Sequence, residues 1–181
     1  MALTAARVLD EYLVASVKAG DRQAGELLAR RWQKKLVAHA WRLTGDIEIA
    51  RDATQTAWGE IFRGLHRLQD ERAFPAWAYR IVSRVCAKQV GGVIRRRELA
   101  DTLGGEPGDE LADPSASLEA DQLRAAIREL PPSQRSAIAL FHFEGLSIAE
   151  VAVALHVPPG TVKTRLMHAR RKLRAALEGE N

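Results

Sequence analysis

Two small helical domains joined by a flexible acidic linker, an all-α fold class, is what this 181-residue sequence predicts. Three observations carry the reading. Apolar residues recur at helical spacing nearly everywhere, and no stretch shows the alternation of a half-buried strand. Between Glu98 and Leu123 stand eight acidic residues and no Lys or Arg. The segment Gly145 to Arg174, GLSIAEVAVALHVPPGTVKTRLMHARRKLR, reads as two short helices with a sharp turn between them.

The N-terminal half, roughly Leu9 to Arg97 within a domain spanning residues 1–97, holds three or four helices. Asp21 is placed to cap a helix with Leu27, Leu28, Trp32, Leu36, Ala40 and Trp41 on its apolar side. Thr44-Gly45-Asp46 interrupts it, and the next helix carries Ala50, Ala53, Ala57, Trp58 and Ile61. Gly64 and the polar run Gln69 to Arg72 break the pattern again. A third helix follows Pro75 with Trp77, Ile81, Val82 and Val85, and is expected to end at Gly91-Gly92 before Arg95-Arg96-Arg97.

Residues 98–117 are expected to be a linker: Gly104-Gly105, Pro107-Gly108 and Asp113-Pro114-Ser115 break chain regularity and little apolar surface is available to order them. Outside the acidic stretch the chain carries 27 basic residues against 15 acidic ones, what remains of 23 after those eight. The second domain, residues 118–181, begins with a helix from Leu118 through Leu130. Pro131-Pro132-Ser133 then opens a helix bearing Ile138, Leu140 and Phe141. Ser147, with Glu150 three residues on, has the spacing of a reciprocal capping box. That helix must stop near His156, because Pro158 and Pro159 can only start a new one.

From Thr161 onward Val162, Leu166, Ala169 and Leu173 form one apolar stripe, while Lys163, Thr164, Met167, His168 and Arg171 project from the other side. No acid stands between Thr161 and Ala176, so the i,i+4 ion pairs of a merely solvated helix are missing. A helix-turn-helix whose second helix enters the major groove accounts for this pattern. In the first half Phe74 and Tyr79 stand close to Arg80, Arg84, Lys88, Arg95 and Arg96. Such aromatics serve equally as core or as stacking platforms for unpaired bases beside phosphate-tracking cations.

Catalysis finds no support. The five histidines are scattered, no phosphate-cradling glycine loop occurs, and the single cysteine, Cys86, excludes an internal disulfide or a multi-cysteine zinc site. The sequence therefore calls for no cofactor and no metal. Without a membrane-length apolar run or a signal-peptide pattern, a soluble cytoplasmic protein without membrane insertion is expected.

Taken together, the halves resemble the sigma-70 family of bacterial RNA polymerase sigma factors, specifically the extracytoplasmic-function (ECF) group. ELPPSQRSAIALFHFEGLSIAEVAVALHVPPGTVKTRLMHARRKLR looks like region 4. GDRQAGELLARRWQKKLVAHAWRLTGD, ARDATQTAW and FPAWAYRIVSRV, with the arginine run that follows, look like region 2. The resemblance implies a promoter-specificity subunit that binds core RNA polymerase and promoter DNA, has no chemistry of its own, and is held inactive by an anti-sigma factor. Region 4 would sit on the polymerase flap and read the −35 element with Thr161, Lys163, Thr164, Arg165, Met167, His168 and Arg171. Region 2 would dock on the clamp through Asp52, Gln55 and Thr56. It would open the −10 element with Phe74, Tyr79, Arg80, Arg84, Lys88, Arg95 and Arg96. A sigma-like protein that titrates an anti-sigma factor without initiating transcription is the alternative.

This chain departs from the family's acidic clamp-binding pattern A-E-D-L-V-Q-E: it reads Ala50-Arg51-Asp52-Ala53-Thr54-Gln55-Thr56. Thr54 and Thr56 are therefore candidate phosphorylation sites, since a phosphate would restore the missing negative charge. Arg84 stands where the family has Asn, Lys88 where Asp is frequent, and His168 where Arg is common.

Overall fold

A computed structural model describes the backbone of residues 2–100 and 118–178, with side chains over 5–92 and 122–178. Eight α-helices and no strand occur among the described residues. The first four are α1 (Ala2–Lys18), α2 (Arg22–Thr44), α3 (Ile47–Gly64) and α4 (Phe74–Ala100), with short 3-10 turns at Leu65–Arg67 and Glu71–Ala73 before α4. Then come α5 (Leu118–Arg128), α6 (Pro132–Ile138), α7 (Ile148–Leu155) and α8 (Pro159–Glu178). The bulk of the expected linker, residues 101–117, lies outside the described residues, as do the side chains of Arg95 and Arg96.

Local chemistry sets the helix ends. Asp21 accepts from the amides of Gln23 and Ala24 at 2.8 and 3.1 Å, satisfying two of the orphan donors that open α2. At the other end Gly45 sits in the left-handed region (φ 74°) and returns its amide to the Trp41 carbonyl. Asp46 at once caps α3 through Glu48 and Ile49.

Two expectations are corrected. The helix expected to end at Gly91-Gly92 continues to Ala100. Each glycine costs about 1 kcal/mol relative to alanine, but neither removes a backbone donor as proline would. Leu27, assigned to the apolar side of α2, is exposed, whereas its neighbour Leu28 is fully buried. A further feature carries no sequence signal: α6 passes into a π-helical turn over Ala139–Phe143.

Leu28, Leu36, Ile61, Leu65, Phe74 and Val82 fill the first half; Leu140, Val151, Val162, Leu166 and Ala169 fill the second. These belong to one contiguous core, because the halves are docked: α7 packs along α4, and α6 with its π turn meets the C-terminal end of α2.

Candidate nucleic-acid interface

Within the helix-turn-helix the capping box forms as the spacing requires. Ser147 Oγ accepts from the Glu150 amide at 3.3 Å, and Glu150 Oε2 accepts from the Ser147 amide at 2.7 Å. The turn itself is made by His156, left-handed at φ 54° and ψ 48°. Histidine tolerates that region better than β-branched residues do. The Val157 amide returns to the Ala152 carbonyl at 3.1 Å, and Pro158 then accepts the first amides of α8, from Thr161 and Val162. The prolines thus start α8 two residues before Thr161, where the apolar stripe begins.

Val162, Leu166 and Ala169 are buried and Leu173 packs against the core, so α8 is fixed by one face. The opposite face is open. Lys163, Thr164 and Arg171 are exposed, Met167 keeps 57% of its surface, and Thr161, Arg165 and His168 are half-buried. Thr164 Oγ1 donates to the Gly160 carbonyl at 3.1 Å, which leaves the hydroxyl lone pairs and the methyl for a partner. An Arg171 Nη2 lies 3.5 Å from His168 Nδ1, so these two side chains present a joint donor surface. Arg170 leans instead over Phe141, 5.7 Å from the ring centre, with an Nη2 3.4 Å from His142 Nε2. One i,i+4 pair does form on α8, Arg174 with Glu178 at 3.8 Å in the last turn; before it, a fixed helix with an acid-free cationic face matches what insertion between two phosphate chains demands.

The second group of candidate residues divides. Phe74 and Tyr79, placed by sequence beside the cations as base-stacking candidates, are core residues here. Phe74 is fully buried, edge-on to Trp32 with ring centres 5.2 Å apart. Tyr79 is 2% exposed, wedged against Trp32 and His39. Ala76 and Ala78 are buried with Phe74 and Tyr79, so this end of α4 is packed on more than one side. Arg80, Arg84 and Lys88, each four residues from the next, instead form one exposed cationic row. Arg84 reaches across to Glu60 of α3.

On α3, Asp52, Gln55 and Thr56 are exposed. Thr54 is not: it is fully buried and its hydroxyl donates to the Ala50 carbonyl at 2.8 Å, so in this fold it offers a kinase nothing. Thr56, by contrast, is exposed. Arg51, standing where the family has an acid, pairs with Glu48 at 2.8 Å.

Sequence reasoning missed a polar cluster where the halves meet. Glu144, just before α7, accepts from Arg42 Nη1 and from the Tyr79 hydroxyl, both at 2.5 Å. Burial raises the pKa of its carboxyl above the ordinary carboxylate range, although Tyr79 and Arg42 pull the other way. The Tyr79 phenol is raised as well, by burial and then by the adjacent carboxylate. His39 Nδ1 lies 3.9 Å from Glu144 Oε1, but complete burial, with help from Arg42, pushes the ring pKa down to about 3 and keeps it neutral. Its Nε2 is 2.9 Å from Ser83 Oγ. The available signal was a histidine and an arginine on α2 beside the core positions Leu36 and Ala40.

Among the described residues no group of His, Cys, Asp or Glu is placed to hold a metal ion, and no helix is long and apolar enough to cross a membrane. Cys86 is buried, with its thiol pushed up to about 12.

Family models match both halves, sigma-70 region 2 over residues 28–96 and sigma-70 region 4 over residues 120–173. The RNA polymerase sigma-H factor of Pseudomonas aeruginosa is 30% identical over 181 residues, covering 93% of this chain and 94% of the relative. The ECF RNA polymerase sigma factor SigM of Mycobacterium tuberculosis is 34% identical over 165 residues, covering 91% and 82%. In three dimensions the chain is similar to the sigma factor RpoE of Bartonella quintana, solved with the anti-sigma factor NepR. That match has a TM-score of 0.73 at 22% identity, over 86% of this chain and 98% of that one, and speaks for the fold alone.

Proposed function

This chain belongs to the ECF group of the sigma-70 family, and on that footing we propose that it binds core RNA polymerase and directs initiation at its own promoters. The single observation that carries the proposal is α8, anchored on one face by Val162, Leu166 and Ala169 and presenting Lys163, Thr164, Met167 and Arg171 on the other. That helix reads the −35 element in the major groove. The row Arg80, Arg84 and Lys88 tracks the backbone near −10, while Phe74 and Tyr79 shape the domain behind it. Asp52, Gln55 and Thr56 supply the polymerase-facing surface of α3. As in the Bartonella relative, solved with its anti-sigma factor, an anti-sigma protein is the expected regulator. A sigma factor contributes binding and strand separation and has no catalytic group of its own.

The competing reading is titration of an anti-sigma factor without initiation. The Arg51–Glu48 pair favours it, because it neutralises part of the α3 face where the family carries acids. Selection of promoter DNA from a random pool by core polymerase plus this chain separates the two. Initiation predicts enrichment of two sequence blocks. Lys163→Ala and Met167→Ala should relax base preference in one block only, and Arg84→Ala should weaken the other. A pool that stays random would leave titration standing and this proposal defeated.

A further inference from the structure

The sequence holds two methionines and one cysteine. Met1 lies outside the described residues, and Cys86 is 1% exposed with its thiol pushed up to about 12, so it presents no thiolate. Met167 differs from both: it keeps 57% of its surface and stands midway along α8, on the open face. A flexible thioether ordinarily fills gaps in a core. This one is held out to solvent among polar residues, with Lys163 and Thr164 one turn before it and Arg171 one turn after.

An exposed thioether reacts with hydrogen peroxide. The sulfur attacks one peroxide oxygen, and the S–O bond forms as the O–O bond breaks. Sulfur gives up an electron pair and the peroxide takes it. The departing hydroxide removes the proton left on the transferred oxygen and leaves as water, so the product is methionine sulfoxide. A dithiol-dependent reductase reverses the change: the oxygen departs as water while the dithiol becomes a disulfide.

The sulfoxide changes what α8 offers in two ways. A side chain that was apolar acquires a hydrogen-bond acceptor, where the major groove already presents acceptors on guanine and thymine and phosphates line its walls. Acceptor then meets acceptor. The helical period also sets the new oxygen beside the Lys163 ammonium and the Arg171 guanidinium, its neighbours at i−4 and i+4. Both cations carry donors and no acceptor, so each hydrogen bond given to the sulfoxide is one fewer for DNA. The fold is left alone, because Val162, Leu166 and Ala169 hold the helix from its opposite face.

We propose that Met167 is a peroxide-modification site, and that its sulfoxide weakens the hold of α8 on DNA until a reductase restores the thioether. The proposal rests on the DNA-reading role of α8 given above, and its test keeps the two apart. The chain alone is treated with hydrogen peroxide, the peroxide is removed with catalase, and only then is core polymerase added. Peptide mass mapping should find one added oxygen on Met167 and a reduced Cys86. Affinity for promoter DNA selected from the random pool should fall about tenfold, the size of one lost base contact, with helix content and urea stability unchanged. Methionine sulfoxide reductase with dithiothreitol should recover it. In Met167→Leu, whatever its own affinity, treated and untreated protein should bind alike. Met167→Gln carries a permanent acceptor on a side chain of similar length, and without peroxide should bind as weakly as oxidised wild type.

A Met167 that stays unoxidised under peroxide that converts a free methionine peptide would overturn the proposal. Sulfoxide at Met167 with unchanged affinity would overturn it too. So would an equal loss in Met167→Leu, which would place the damage elsewhere in the chain. If untreated wild type formed no promoter complex, the promoter-reading function would fail and the DNA effect with it, while the peptide map still decided whether Met167 is the oxidised sulfur.

Discussion

His39 stands inside α2 with no surface exposed, its Nε2 on Ser83 and its ring against Tyr79. Burial holds its pKa at about 3, whereas the same residue in an unfolded chain titrates near 6.5. Below pH 6.5 the unfolded chain therefore binds a proton that the fold refuses. Stability from the neutral ring is complete above 6.5 and is lost progressively as pH falls toward 3. At about 1.36 kcal/mol per pH unit and proton, the loss between pH 7 and pH 4.5 is roughly 2.5 kcal/mol. Glu144 works with the opposite sign: its raised pKa makes the fold take up a proton as pH falls, which offsets part of the loss. His39→Gln keeps a group able to bond Ser83 and removes the titration. Urea unfolding of both chains at pH 7, 6, 5 and 4.5 isolates the ring, because every other group titrates in both. Wild type should lose roughly 2.5 kcal/mol more than His39→Gln over that range. Parallel curves would refute the assignment of a neutral, desolvated ring.

Phe74→Ala should cost about 3–5 kcal/mol in urea unfolding, the range for emptying an aromatic core site, whereas a base-stacking Phe74 would lower promoter opening and leave stability intact. Ser147→Ala removes the cap of α7 and should cost about 1 kcal/mol, with the melting temperature down by about 2–4 °C. At α3, Thr54→Glu would bury a carboxylate and should unfold the chain or cost several kcal/mol. Thr56→Glu should change stability by less than about 0.5 kcal/mol and, if charge there controls docking, tighten core-polymerase binding several-fold, equivalent to roughly 1 kcal/mol.

What was legible in the sequence is what local chemistry determines. Asp21 and Ser147 cap their helices because a short polar side chain meets free amides two or three residues ahead; Asp46, read only as part of an interruption, does the same for α3. The α8 stripe was legible because burial of Val162, Leu166 and Ala169 repeats at the helical period. Less visible were features that depend on distant partners. Phe74 and Tyr79 lie beside arginines in sequence, and only Trp32 and His39, brought in by α2, make them core. Glu144 and Arg42 are 102 residues apart, so no spacing rule could join them. His156 was seen as a stop, but its left-handed backbone is the price of turning α7 into α8 before two prolines. Thr54 looked equivalent to Thr56 because both are threonines on one helix, yet a shift of two residues turns a side chain from the surface to the core.

Whether this chain gives core polymerase a promoter is decided most directly by run-off transcription with purified core enzyme, on a template carrying the two blocks selected from the random pool. The account predicts a transcript from one start site that requires the chain, weakens steeply with salt, and falls sharply when Lys163→Ala and Arg171→Ala are combined. A chain that binds core polymerase and still yields no start-site-specific transcript, or a transcript indifferent to both substitutions in α8, would contradict it.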